Sequence, residues 1–129
     1  MVFCPRCGIF NESMERNNNR HIFYPEDFIT VAKNIAAKYA NDKVALDIIG
    51  AATHEYTKWS SGRTMTFFEI DLKRSLDIYD SGKSLYEVIE YSYFLQIRNS
   101  YRFATKELED AVMQWRYADA NIGKKIRHL

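Results

Sequence analysis

Two cysteines occur in the sequence, both inside Cys4-Pro5-Arg6-Cys7-Gly8. Thiols at this spacing bind a metal as thiolates, cycle between dithiol and disulfide, or close a structural disulfide. Two intervening residues let both sulfurs reach one ion at about 2.3 Å. Pro5 presets φ for a turn, and Gly8 tolerates the left-handed backbone that aims amides at the sulfurs. A redox pair of the Cys-Pro-x-Cys type follows a strand and opens a helix in a βαβ frame, and the three residues before Cys4 are short for that strand. A disulfide across so tight a loop constrains little of the unfolded chain. Unliganded thiols are the plain alternative.

The Cys4-Pro5-Arg6-Cys7-Gly8 run resembles a zinc knuckle, the turn found in zinc ribbons and rubredoxin-like sites. The resemblance implies zinc as cofactor and extends over that run alone. It supplies half a site, because no second Cys-x-x-Cys follows. Thirteen residues separate His21 from Cys7, near the spacing of a finger's first histidine. The expected metal ligands are therefore Cys4, Cys7 and His21. Finger spacing puts a fourth ligand near Glu26, a poor structural ligand beside the helix-opening Pro25. His54 and His128 could reach back through the fold as further ligands, although the ordinary reading of each is a surface or core residue. Alternatively, two chains pool their cysteines into a four-thiolate site, which makes a homodimer the expected partner arrangement.

The elements that would carry this knuckle read as helices. Residues 8–22, with consecutive asparagines at 17–19, form a loop. Pro25, Glu26 and Asp27 suit a first helical turn, and Phe28, Val31, Ile35 and Tyr39 follow the three-to-four spacing of a buried stripe. Asn41-Asp42 ends that helix and caps a second over Lys43 to Ser61, striped by Ala45, Ile48, Ile49, Ala52, Tyr56 and Trp59, with Gly62 as its stop. Thr66 and Glu69 fit a capping box for a third helix, with Phe68, Leu72, Leu76 and Tyr79 inside and Gly82 at its end. Ser84 and Glu87 repeat the box for a fourth helix continuing to about Phe103. Thr105 caps a last one through Leu108, Ala111, Val112, Trp115 and Ile122 to Gly123, and the last two also read as one kinked helix. Only Ile22–Tyr24 and Thr64–Phe68 have strand-like composition. The expected fold is all-α: an antiparallel bundle of four to five helices over 24–123, an irregular knuckle arm over 1–23, and a basic tail over 124–129.

The 129 residues, 15.2 kDa, suit one domain, and 47% hydrophobic with 27% charged residues excludes wholesale disorder. A net charge of +1 removes the usual argument for a strongly basic nucleic-acid binder. No run approaches the roughly 18 apolar residues of a membrane helix, and no signal-like stretch opens the chain, so a cytoplasmic, intracellular protein without a membrane partner is expected. Glu-x-x-His pairs, glycine-rich phosphate loops and hydrolytic triads are missing, so no enzyme and no small-molecule substrate are expected.

Arg98-Asn99-Ser100-Tyr101-Arg102-Phe103 resembles the Arg-Asn start of the catalytic motif of HEPN-type RNases, which are helical bundles. That family places an acid–base histidine three or four residues later, where Phe103 and Ala104 stand here. The resemblance therefore implies at most a non-catalytic relative. Nucleic-acid binding is the alternative function. Arg98, Arg102, Arg116, Lys124, Lys125 and Arg127 would grip phosphates, interleaved with Tyr101, Trp115 and Tyr117 for base stacking. The main expectation is a zinc-binding helical protein acting as an interaction or assembly module.

Overall fold

Pro25, with its fixed φ, opens α1 (Pro25–Ala36), and one 3-10 turn (Ala37–Tyr39) extends it. This computed structural model describes residues 2–10, 21–59 and 61–127, with side chains at 4–8, 21–59 and 61–118. The Asp42 carboxylate accepts the Ala45 amide at 3.1 Å and so caps α2 (Lys43–Tyr56). Ala45, Ile48, Ile49, Ala52 and Tyr56 are buried along it, as their spacing requires. The helix ends at Tyr56 rather than Ser61, which leaves Trp59 60% exposed instead of in the stripe.

Gly62 is the first residue of α3 (Gly62–Asp80), not the stop of the helix before it. Ser61 takes the N-cap: its hydroxyl accepts the Thr64 amide at 3.2 Å, and a bridge to Ile22 holds its backbone extended. Thr66 is thereby one turn inside the helix and donates its hydroxyl to the Gly62 carbonyl at 3.1 Å instead of capping. The strand-like composition of 64–68 yields to the burial of Met65, Phe68, Leu72 and Leu76 at helical spacing.

Ser84 caps α4 (Leu85–Glu90) by accepting the Glu87 amide at 3.2 Å. Helix does not then continue to Phe103. The short α5 (Tyr93–Gln96) follows, and residues 97–105 run without helical structure to α6 (Lys106–Arg127). The reason lies on α2. The Asp47 carboxylate accepts the amides of Ala104 and Thr105, both at 2.9 Å, the Thr105 hydroxyl at 2.7 Å and the Tyr101 hydroxyl at 2.5 Å. Amides held this way cannot join an i→i−4 ladder. The last helix passes through Gly123 to Arg127, beyond the expected stop.

The six helices among the described residues form an all-α bundle around Phe23, Phe28, Phe68, Ile48, Met65 and Leu72, with Ile89, Phe94, Leu95 and Leu108 fully buried beyond them. Phe28 and Phe68 meet edge to face at 5.5 Å. Among the described residues, four tyrosine–aspartate pairs tie the elements together: Tyr39 to Asp80, Tyr56 to Asp71, Tyr79 to Asp42 and Tyr101 to Asp47. Burial first, and the carboxylate second, push the phenols of Tyr39 and Tyr79 up to about 12. The same causes raise those of Tyr56 and Tyr101 further.

The arm is not irregular throughout. β1 (Val2–Cys4) and β2 (Gly8–Phe10) pair antiparallel, with Cys4 opposite Gly8 and Phe3 opposite Ile9. Gly8 has φ +87°, the left-handed region that glycine enters without strain. Among the described residues no helix is long and apolar enough to cross a membrane.

Candidate metal centre

The turn between β1 and β2 brings the Cys4 and Cys7 sulfurs to 3.1 Å, and His21 adds its imidazole from the start of the segment leading to α1. His21 Nε2 lies 3.3 Å from Cys4 Sγ and 3.4 Å from Cys7 Sγ. These are the residues the spacing singled out, and they lie close enough to bind one metal ion. Around a tetrahedral ion with bonds of about 2.3 Å, ligand atoms sit roughly 3.8 Å apart. The observed triangle opens to that size by about half an ångström per edge, within the reach of side-chain rotation.

The site is half sunk into the body. Cys4 is fully buried in the hydrophobic core, and β1 packs on α3. Cys7 is exposed, and His21 is half-buried with its ring edge-on to Phe23 at 4.6 Å. One wall of the triangle is core, and the other faces solvent.

Arg6, inside the knuckle, anchors it to the bundle. Its Nε donates to both oxygens of Asp27 at 3.1 and 3.2 Å, its Nη2 donates to the Ile22 carbonyl at 2.6 Å, and its guanidinium lies 4.6 Å over the Tyr24 ring. Asp27, 2% exposed in the first turn of α1, also accepts the Tyr24 amide at 2.7 Å. One carboxylate therefore holds both the helix start and the knuckle. The Asp27 bond raises the Arg6 pKa. Cys7 is held upward by its hydrogen bond with Cys4 and then by burial, while Arg6 acts in the opposite direction. A bound cation would oppose that rise and favour the Cys7 thiolate, the direction in which Arg6 acts. Sequence reasoning read Asp27 only as a charge at the helix start and passed over Arg6. The available signal was an arginine between the two cysteines and an acid soon after the third ligand.

The other expected residues are placed elsewhere. Glu26 is exposed on α1 and takes no part in the cluster. His54, on α2, has Nε2 3.1 Å from the Ser100 hydroxyl and its ring 5.7 Å from that of Tyr101. His128 lies outside the described residues. No fourth metal donor joins the three among the described residues. The redox frame is not formed, because a second strand rather than a helix follows the cysteine turn. Of the basic residues, Arg98 and Arg116 line one cavity, and exposed Arg102 does not. Lys124, Lys125 and Arg127 lie on the last turns of α6, with side chains outside the described set.

No family model matches this chain, and neither a curated protein nor a solved structure does.

Proposed function

We propose that the protein is a zinc-binding helical module that works by assembly with a second copy of itself rather than by catalysis. The observation that supports this reading most directly is the Cys4–Cys7–His21 triangle, buried at Cys4 and exposed at Cys7. Two thiolates and an imidazole are a soft donor set that suits zinc over hard cations such as calcium or magnesium. A structural zinc takes four protein ligands, and the three among the described residues, with an outward-facing wall, suit a fourth brought by a second copy. Three ligands plus water is also the plan of a catalytic zinc. Such a site commonly pairs the metal with an acid or base, and among the described residues the carboxylate tied to the knuckle, Asp27, is held instead by Arg6 and the Tyr24 amide. Exposed Trp59, Phe67, Ile70 and Tyr93 supply the large apolar contacts that interfaces favour.

Metal content measured with mass in solution tests this reading. Protein purified without chelator should carry about one zinc per chain and run as a dimer, becoming a monomer on chelation. Cys7→Ser and His21→Ala, which alter the exposed and half-buried ligands rather than buried Cys4, should lose both metal and dimer. Protein free of metal, or a one-chain mass unchanged by zinc, overturns it.

A further inference from the structure

A cavity of about 520 Å³ lies between the 97–105 segment and the middle of α6, lined by Arg98, Asn99, Met113, Arg116 and Tyr117. Its volume falls in the range of small-ligand sites. Two of its five lining residues are cations, and neither has an ion-pair partner among the described residues. The ion pairs among the described residues are Arg6–Asp27, Lys58–Glu55 and Arg74–Asp71, and none involves Arg98 or Arg116.

Arg116 is held in place. Its Nη2 donates to the Ile97 carbonyl at 2.5 Å and the Leu95 carbonyl at 3.2 Å, closing the C-terminal end of α5. Those bonds fix the guanidinium plane without supplying a counter-charge. Its Nε is buried and has no hydrogen-bond partner among the described residues, a condition that native proteins rarely leave unexplained. Burial and the proximity of Arg98 both lower its pKa, the mark of a cation confined beside another. Asn99 acts as a brace: its amide donates to Glu55 at 3.4 Å and its oxygen accepts the Tyr101 amide at 3.0 Å, which fixes the backbone next to Arg98. Tyr117, 73% exposed, presents its ring on the same cavity as the two charges.

We propose that this cavity binds a nucleotide, with its phosphate between Arg98 and Arg116 and its base on the Tyr117 ring. The exposed Arg98 guanidinium can meet phosphate oxygens through forked, charge-assisted hydrogen bonds, while Arg116, whose Nη2 is held by two carbonyls and whose Nε is buried, contributes its positive charge. An anion here relieves the repulsion between the two arginines. Aromatic rings stack bases of any sequence, so the site would select by phosphate and ring rather than by base identity. The ligand chemistry is the same whether the nucleotide is free or part of a single strand. This site is separate from the metal centre and does not depend on the zinc reading.

The test is calorimetric titration of the full chain with inorganic phosphate, adenosine 5′-monophosphate and a short oligoadenylate strand, at low and moderate salt. The monophosphate should bind more tightly than phosphate. Arg98→Gln, at an exposed position, should weaken both by roughly tenfold or more. Tyr117→Ala should bring the monophosphate down to the level of phosphate, and Arg102→Gln, outside the cavity, should leave the monophosphate unaffected. Arg116 is left intact because it anchors α5. A strand no tighter than the monophosphate identifies free nucleotide as the source; a tighter one with steep salt dependence identifies a strand. Absence of binding at millimolar monophosphate, equal affinity for phosphate and monophosphate, or Arg98→Gln binding like wild type overturns the assignment.

Discussion

Asp47→Asn changes one atom of a side chain that is 2% exposed and organises the whole 97–105 segment. One carboxylate oxygen accepts from the Tyr101 hydroxyl and the Ala104 amide, and the other from the Thr105 amide and hydroxyl. Asparagine replaces one of these oxygens by an NH₂ group, which faces a pair of donors in either orientation. The hydroxyl of the affected pair can rotate and accept. The backbone amide cannot, so at least one is stranded. The better orientation keeps the oxygen on buried Thr105 and strands the amide of exposed Ala104. A stranded donor costs about 1–3 kcal/mol, and the bonds that survive lose their charge assistance. We expect a loss of about 3 kcal/mol, or roughly 10 °C in Tm for a chain of this length. Urea unfolding followed by far-ultraviolet circular dichroism measures it, with a lower midpoint and an unchanged slope. Tyr101→Phe should cost less in the Asp47→Asn background than in wild type, because the two share one bond. A loss below about 1 kcal/mol, or full additivity, would refute the view that this carboxylate holds the segment.

Three further outcomes follow from the same geometry. Arg6→Ala removes the bonds that hold the knuckle to Asp27 and Ile22, so zinc affinity measured against a competing chelator should fall roughly 10- to 100-fold, with Arg6→Lys in between. At alkaline pH the unfolded chain ionises its tyrosines near 10, whereas Tyr39 and Tyr79 stay protonated in the fold up to about 12. Stability is therefore intact below pH 10 and declines as pH rises from 10 toward 12, which urea midpoints across that range would show. In Gly50→Ala the new methyl would lie 2.7 Å from the Tyr101 hydroxyl, which Asp47 holds in place. It should destabilise wild type by about 1 kcal/mol yet stabilise the Tyr101→Phe variant by a similar amount, as helix propensity then acts unopposed.

Local chemistry was readable from the residues themselves. Cys4, Cys7 and His21 were identifiable because few side chains bind metals and a two-residue spacing brings two thiols together in almost any turn. Pro25, Asp42 and Ser84 marked helix starts correctly because a cap and the amide it serves lie within three residues of each other. The Ser61–Gly62 boundary was misread where two local signals compete: glycine suits a stop, but the preceding serine, held extended by Ile22, made it a start. The break at 97–105 was beyond sequence reading, because the apolar spacing there is helical and the carboxylate that overrides it lies more than fifty positions away. The convergence of Arg98 and Arg116 on one cavity depends on that break and on the docking of α6. Arg6 reaches Asp27 only because the hairpin folds back on the start of α1. Bonds within one helical turn follow from neighbouring residues alone, whereas a buried carboxylate takes whichever donors the packed chain brings to it. The sequence therefore determined most helix-forming stretches and the cysteine–histidine cluster, and the tertiary structure decided where helix yields to extended chain and which charges meet.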